Sequence, residues 1–158
     1  VDPAQTDITS LGTLTTLTVD NIIINGTTIG HTSDTDAISI ASSGVTTFSA
    51  AVVGATDTDT SNTGSVTLDF AANQNFVLTF TGNVTLANPS TEAAGQSGII
   101  VCIQDGTGSR TLSLGTDYET AGGAGITLST AASSVDVIPY FVKASGSIQL
   151  GAVQKAFS

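Results

Sequence analysis

Cationic side chains are the scarcest feature of this chain: Lys and Arg together number 3 against 13 Asp and Glu, a formal net charge of −10. Affinity for phosphate comes from clustered Lys and Arg, and Arg110, Lys143 and Lys155 are too scattered to form a patch. Nucleic acid and anionic membrane surfaces are thereby excluded as expected partners. Trp and Met are absent, and Cys and His occur once each. The lone Cys102 excludes an intramolecular disulfide framework. The lone His31 has no Ser-His-Asp or Cys-His context, so no nucleophilic triad is assembled and no enzyme activity is expected. No apolar run approaches the roughly 18 residues of a membrane span, and no basic-then-apolar leader is visible, so a soluble protein without membrane insertion is expected. Because the chain opens at Val1 and lacks Met, its start is expected upstream or removed by processing. Glu, Lys and Arg, the charged helix formers, are nearly missing while β-branched Thr, Val and Ile abound, which points to an all-β fold.

What is present suffices to fold. Of the 158 residues 40% are hydrophobic, and the mean hydropathy of +0.31 sets the chain apart from acidic, Ser- and Thr-rich disordered sequences. The length fits one domain carrying an extended arm. Residues 1–56 form the arm and residues 57–158 the globular part. In the arm, Ile8, Leu11, Leu14 and Leu17 recur every third residue in a Thr-rich stretch that would not support a helix, so an extended strand meeting a neighbour is expected. Two similar units follow. Asn21–Ile24 leads through Asn25-Gly26 into Thr27–Ile29, and Ala37–Ala41 leads through Ser43-Gly44 into Val45–Phe48; both read as hairpins, because Asn-Gly and Ser-Gly supply the positive φ of a tight turn. A ribbon this thin has no interior. Burying Ile8, Leu11, Leu14, Leu17, Val19, Ile22, Ile24 and Ile29 therefore requires copies of the same segment, and three ribbons around an axis close the strand edges that two would leave free.

The polar stretch 54–64 reads as a junction. Beyond it, short strands are expected at 65–70, 75–81, 84–87, 98–104, 110–114, 126–129, 135–142 and 147–153, with turn clusters between them at the spacing of a β-sandwich or jelly roll. Phe76, Leu78 and Phe80 alternate cleanly and mark a core strand. In Ile99-Ile100-Val101-Cys102-Ile103 the thiol acts as a small buried hydrophobe.

Several of these segments, taken in order, carry a resemblance. They are Gly64–Phe70, Phe76–Pro89, Ala94–Gly98, Gln104–Leu112 and Ala121–Gly123, and together they resemble the distal β domain of tail-fibre and other fibrous virion proteins of tailed bacteriophages. Leu14–Asn21 and Ile38–Phe48 resemble the repeated shaft elements of the same proteins, especially in marine and cyanobacterial phages. The resemblance implies a homotrimer on the external surface of the virion, with an intertwined N-terminal β shaft and a C-terminal β-sandwich, jelly-roll-like head. It also implies attachment to other virion proteins of the tail or capsid and to a host-surface glycan. A capsid decoration or head fibre anchored by its N-terminal arm is one alternative. Another is a carbohydrate-binding module of a bacterial surface protein, for which aromatics are in short supply.

Candidate binding residues lie in two Gly-rich loops, around Asp105–Ser109 and Tyr118–Gly125. Asp105, Thr107 and Arg110 surround Gly106 and Gly108, and Arg110 could meet an acidic glycan or a neighbouring subunit; pairing with Asp105 or Asp117 is the structural alternative. Family members often place a Trp after the Arg-Thr-Leu strand, where this chain has Leu114–Tyr118, so Tyr118 is the expected aromatic platform. Paired carboxylates for glycan cleavage are better explained as turn formers. Asp34 with Asp36, and Asp57 with Asp59, offer oxygen ligands, but no Gly or bidentate Glu completes a calcium loop. His31 reads more simply as a turn cap than as a ligand in a three-fold metal site. No metal and no cofactor are therefore expected.

Overall fold

The computed structural model describes residues 21–157, and Ile8, Leu11, Leu14, Leu17 and Val19 lie outside them. The chain divides between Val52 and Val53 into two compact units.

The first unit is a four-stranded antiparallel meander, β1 (Ile22–Asn25), β2 (Thr28–His31), β3 (Asp34–Ile40) and β4 (Thr46–Phe48), in sequential order. Gly26 and Gly44 supply positive φ at the turns closing β1–β2 and β3–β4, which are the two expected hairpins. A third hairpin turns at Thr32-Ser33, where the sequence offers no Gly; His31 closes it, its Nδ1 accepting the Ser33 amide at 3.2 Å and lying 2.8 Å from the Ser33 hydroxyl. The β2–β3 ladder slips between Ile29 and His31. Gly30 sits at that bulge with the backbone of Asp34 and Thr35 against it, leaving no room for a side chain. Register places Ile24, Ile29, Ile38 and Phe48 in one row across all four strands. Paired residues share a face, so this sheet has one apolar face, to which Ile22 and Ile40 also belong.

The second unit is a mixed eight-stranded sheet. Its strands are β5 (Thr56–Val66), β6 (Asn75–Leu86), β7 (Ser97–Gln104), β8 (Leu112–Leu114), β9 (Tyr118–Glu119), β10 (Val135–Ala144), β11 (Ser147–Leu150) and β12 (Gln154–Phe157). The path is β5-β6-β7-β10-β11-β9, with β8 beside β6 and β12 beside β10. Strands β5, β7 and β8 all run parallel to β6, whereas β10 is antiparallel to β7, β11 and β12. The eight strands thus form one hydrogen-bonded sheet with parallel pairs, where the expectation was short strands in a β-sandwich or jelly roll.

Three segments depart from the expected strand boundaries. The stretch expected as a junction, 54–64, is mostly edge strand β5: its alternating Thr and Asp suit an edge that must not recruit another strand. Residues 65–70, expected as a strand, mainly form the return from β5 to β6. Parallel neighbours cannot be joined by a tight turn, so this link runs back along the sheet and buries Leu68 and Phe70. Residues 126–129 are not a strand, although Leu128 is buried. The expected core strand at 75–81 is longer than anticipated. It takes in 84–86 as well, because Gly82 lies against the Thr63 side chain at an irregularity of the β5–β6 ladder rather than making a turn.

The core lies on one face of this sheet. Phe76, Leu78, Phe80, Val84 and Leu86 of β6 meet Ile100 and Cys102 of β7 and Ile138, Tyr140 and Val142 of β10, all buried. Phe70 contacts the Phe76 and Tyr140 rings at centroid distances of 5.1 and 5.2 Å, and the Tyr140 hydroxyl donates to the Gln74 carbonyl at 2.6 Å. Each such side chain contributes roughly 1.5–3 kcal/mol of burial. Asp136 is buried among them at 2% exposure; its carboxylate accepts the Ser129 amide and hydroxyl and the Ala156 amide at 2.9 Å or less. It thereby fastens both the 126–129 segment and β12 to β10. Burial, with Asp136 nearby, pushes the Cys102 thiol up to about 12.

Leu78→Ala should lower unfolding stability by roughly 2–5 kcal/mol, read from denaturant melts; a variant that melts like the parent would contradict the inward register of β6. Asp136→Ala leaves the Ser129 and Ala156 amides without their acceptor and should cost about 1–3 kcal/mol in the same assay.

Candidate binding surface

The Gly-rich loop between β7 and β8 is built from its own polar residues. Strands β7 and β8 lie end to end along β6, from Phe76–Phe80 to Val84–Leu86, and the loop bulges out where β6 carries Thr81–Asn83. Buried Gln104 closes its base: the Arg110 amide donates to Oε1 at 2.8 Å, and Nε2 donates to the Arg110 carbonyl at 2.9 Å. Asp105 Oδ1 accepts the Thr107 and Gly108 amides, each at 2.9 Å, and Oδ2 accepts Arg110 Nε and Nη2 at 3.1 and 2.7 Å. Gly108, at φ +75, presses its Cα against the Thr130 carbonyl and the Ala132 amide, which no Cβ would permit. The Ser109 amide donates to the Thr130 carbonyl and the Ser133 amide to the Asp105 carbonyl. Arg110 therefore spends its charge on Asp105. Asp105, Thr107 and Arg110 come together in this loop, and among them Thr107 is the exposed residue.

Tyr118 is placed elsewhere, in β9, and is 6% exposed within the core. The expectation of an aromatic platform there is corrected: β9 pairs in parallel with β11, Tyr118 opposite buried Ile148, and this turns the ring inward. Burial, together with the nearby carboxylates of Glu92 and Asp117, pushes its phenol well above the ordinary tyrosine value.

The second unit instead exposes Phe141, at 46%, and Phe157, at 49% on β12; only Phe141 lies beside β9 and β11. Register sets Ser97, Phe141, Gln149 and Glu119 in one row across β7, β10, β11 and β9. Two hollows of about 300 Å³ each share Gln149 and Leu150, one bordered by Glu119, Thr120 and Ala121, the other by Pro139, Tyr140, Phe141 and Gly151. That volume lies at the lower limit for small-ligand sites. Glu119 accepts from the Ser147 hydroxyl at 2.8 Å and pairs with Lys143 at 3.3 Å. These contacts, the Ser147 hydroxyl first, hold its carboxyl below the ordinary range. The furrow thus offers an aromatic face beside an amide, a carboxylate and an ammonium group. Its Thr120–Ala121 rim belongs to the Tyr118–Gly125 loop that the sequence singled out, but Phe141 and Gln149 were missed. Alternation in Val137, Pro139 and Phe141 carried the signal, because these residues occupy the phase opposite to Ile138, Tyr140 and Val142.

The acidic pairs are dispersed. Asp34 and Asp36 are exposed on β3, and Asp59 accepts the Ser61 amide at 3.0 Å. Among the described residues no three His, Cys, Asp or Glu side chains gather as a metal site would require.

Comparison with known proteins adds one finding. Residues 59–147 match the family model described as "Putative phage tail fibre C-terminal domain". Neither the curated proteins nor the solved structures gave a match.

The bond from Arg110, followed by that from the Gly108 amide, holds the Asp105 carboxyl at about 2, below its ordinary 3.8. A carboxyl depressed by folding contributes stability above its unfolded value and loses it as pH falls through the folded one. Loop closure should therefore persist to below pH 3.8 and fail near pH 2. A carboxyl NMR titration checks this, and Asp105→Asn should speed amide exchange at Thr107 and Gly108 at neutral pH.

Proposed function

The chain belongs to the phage tail fibre C-terminal domain family, and from that membership we propose that this structural fibre protein is a homotrimer on the outer surface of the virion, joined to other tail proteins, and that its second unit meets the host surface. Trimerisation is supported by the apolar face of the meander, where Ile22, Ile24, Ile40 and Phe48 are 50, 66, 42 and 52% exposed. A four-stranded sheet with one such face needs a cover. Three copies turned inward would supply it, with residues 1–20 adding the apolar positions Ile8 to Val19.

The observation that carries host recognition is the Phe141 furrow. A sugar ring has an apolar face of C–H bonds and a rim of hydroxyls; Phe141 suits the first, and Gln149, Glu119 and Lys143 suit the second. The pinned loop at Asp105–Arg110, with Thr107 exposed, lies at the opposite end of β7 and β10 from Phe141 and is separate from the furrow. Nothing in this role calls for a nucleophile or a general acid, and the chain acts by binding.

Light scattering of the full chain should give about three times 15.7 kDa, and removing residues 1–52 should weaken the assembly; a full chain that stays monomeric at micromolar concentration would overturn the trimer. Labelled protein should bind cells of the host bacterium, and Phe141→Ala should weaken that binding roughly tenfold while leaving the melt unchanged. Equal binding by parent and variant would move recognition away from the furrow.

A further inference from the structure

The furrow beside Phe141 continues past β9 into a third hollow. Leu150 lines all three, and the third shares Thr120 and Ala121 with the hollow at Glu119. Its volume is about 190 Å³, below the roughly 300 Å³ at which sites for whole ligands begin. That suits a substituent of a ligand seated in the furrow rather than a second whole ligand. The walls are Ala121, Ala124, Ile126, Ala152 and Val153, with no Asp, Glu, Lys or Arg among the lining residues. Small side chains leave the space open. Both walls are fastened. The Gly123 amide donates to the Thr120 carbonyl and the Gly125 amide to the Thr120 hydroxyl, each at 2.9 Å, and the Gly151 amide donates to the Pro139 carbonyl at 2.8 Å. The bowl is therefore preformed, and a ligand does not have to order it on binding.

We propose that this bowl is the acetamido subsite of the furrow, so that the glycan recognised is a neutral one containing an N-acetylated amino sugar. The proposal rests on the sugar-binding reading above and deepens it by naming the sugar class. Three observations favour that substituent. The first is the apolar lining, which fits a methyl group. The second is the pair of polar groups where the bowl opens into the furrow. The Thr120 hydroxyl oxygen is taken by the Gly125 amide, and its hydrogen is left for a carbonyl. The Glu119 carboxylate accepts Ser147 on one oxygen and Lys143 on the other, and each oxygen keeps a lone pair for an N–H. A methyl, a carbonyl and an N–H in succession make up an acetamido group. The methyl of a deoxy sugar would fill the bowl and leave both polar groups unanswered. The third is charge: an acidic sugar would bring its carboxylate against Glu119 on a chain carrying −10, which disfavours it. Spacing agrees with this. Phe141 and Glu119 lie in one row, two strand spacings or about 10 Å apart, so a sugar stacked on Phe141 leaves the bowl to the next sugar of the glycan.

Equilibrium titrations of the full chain, followed by ligand NMR, should show tri-N-acetylchitotriose binding roughly tenfold more tightly than cellotriose, its counterpart with a hydroxyl in place of each acetamido group. Ala152→Phe, which fills the bowl from one exposed wall, should bring the two trisaccharides to equal affinity. Ala124→Phe, from the opposite wall, should do the same, and circular dichroism checks that both variants are folded. Equal binding of the two sugars by the parent, no binding of either at about 10 mM, or folded variants that keep the parent's preference would each overturn the proposal. Phe141→Ala reports on the furrow separately. If it weakens attachment to host cells while the parent binds both trisaccharides alike, host recognition by the furrow stands and only the acetamido assignment falls. If the preference for the acetylated sugar is present and Phe141→Ala still attaches to cells as the parent does, the bowl stands as a sugar site and host recognition lies elsewhere.

Discussion

Strand β6 has parallel neighbours on both edges, and most of the second unit follows from that constraint. A parallel neighbour obliges the chain to travel back the full length of the strand before pairing again. Here the return is made without a helix. The link from β5 to β6 recrosses the sheet through a turn at 69–73 and makes Leu68 and Phe70 part of the core, and the link from β6 to β7 is clamped by Gln96, whose amide donates to the Phe70 and Asn73 carbonyls at 2.9 and 3.0 Å. In a helix-poor sequence the returning loops serve as the second layer over the sheet. The Phe70, Phe76 and Tyr140 rings meet where the first return, β6 and β10 converge.

The same economy governs the polar groups. With three cations in the chain, carboxylates are satisfied mainly by backbone amides and hydroxyls. Glu92 accepts the Ser145 hydroxyl and the Gly146 amide, Asp69 accepts the Ala71 and Ala72 amides, and Asp105 holds its own loop. Such bonds stiffen a turn without any partner element. They also consume the groups that would otherwise look available for ligands, whereas Phe141 and Gln149 project exposed from the sheet beside β11.

Each unit has a sheet face richer in apolar side chains than an isolated domain would ordinarily leave open. Neither face is free of charge: pairing puts Asp34 in the row of Ile22 and His31 in the first unit, and Glu119 in the row of Phe141 and Gln149 in the second.

Composition and alternation by themselves determined the all-β class, the hairpins at Gly26 and Gly44, the inward set of Phe76, Leu78 and Phe80, the burial of Cys102 and the turn-capping reading of His31. Each of these depends on neighbours within a few residues: a positive φ, a period of two, a hydroxyl two positions away. Tertiary structure alone decided the rest. Whether Asp57–Thr63 is linker or edge strand depends on Asn75–Val84 arriving alongside it. Whether Gly82-Asn83 turns or continues depends on the Thr63 side chain filling the space that Gly82 leaves. Whether Tyr118 faces solvent depends on parallel pairing with β11, some thirty residues away in sequence, and whether Arg110 is free depends on the loop folding Asp105 back onto it. In a strand, residue phase is a local property. Which phase faces the core is settled by the partner strand, and no local pattern encodes that partner.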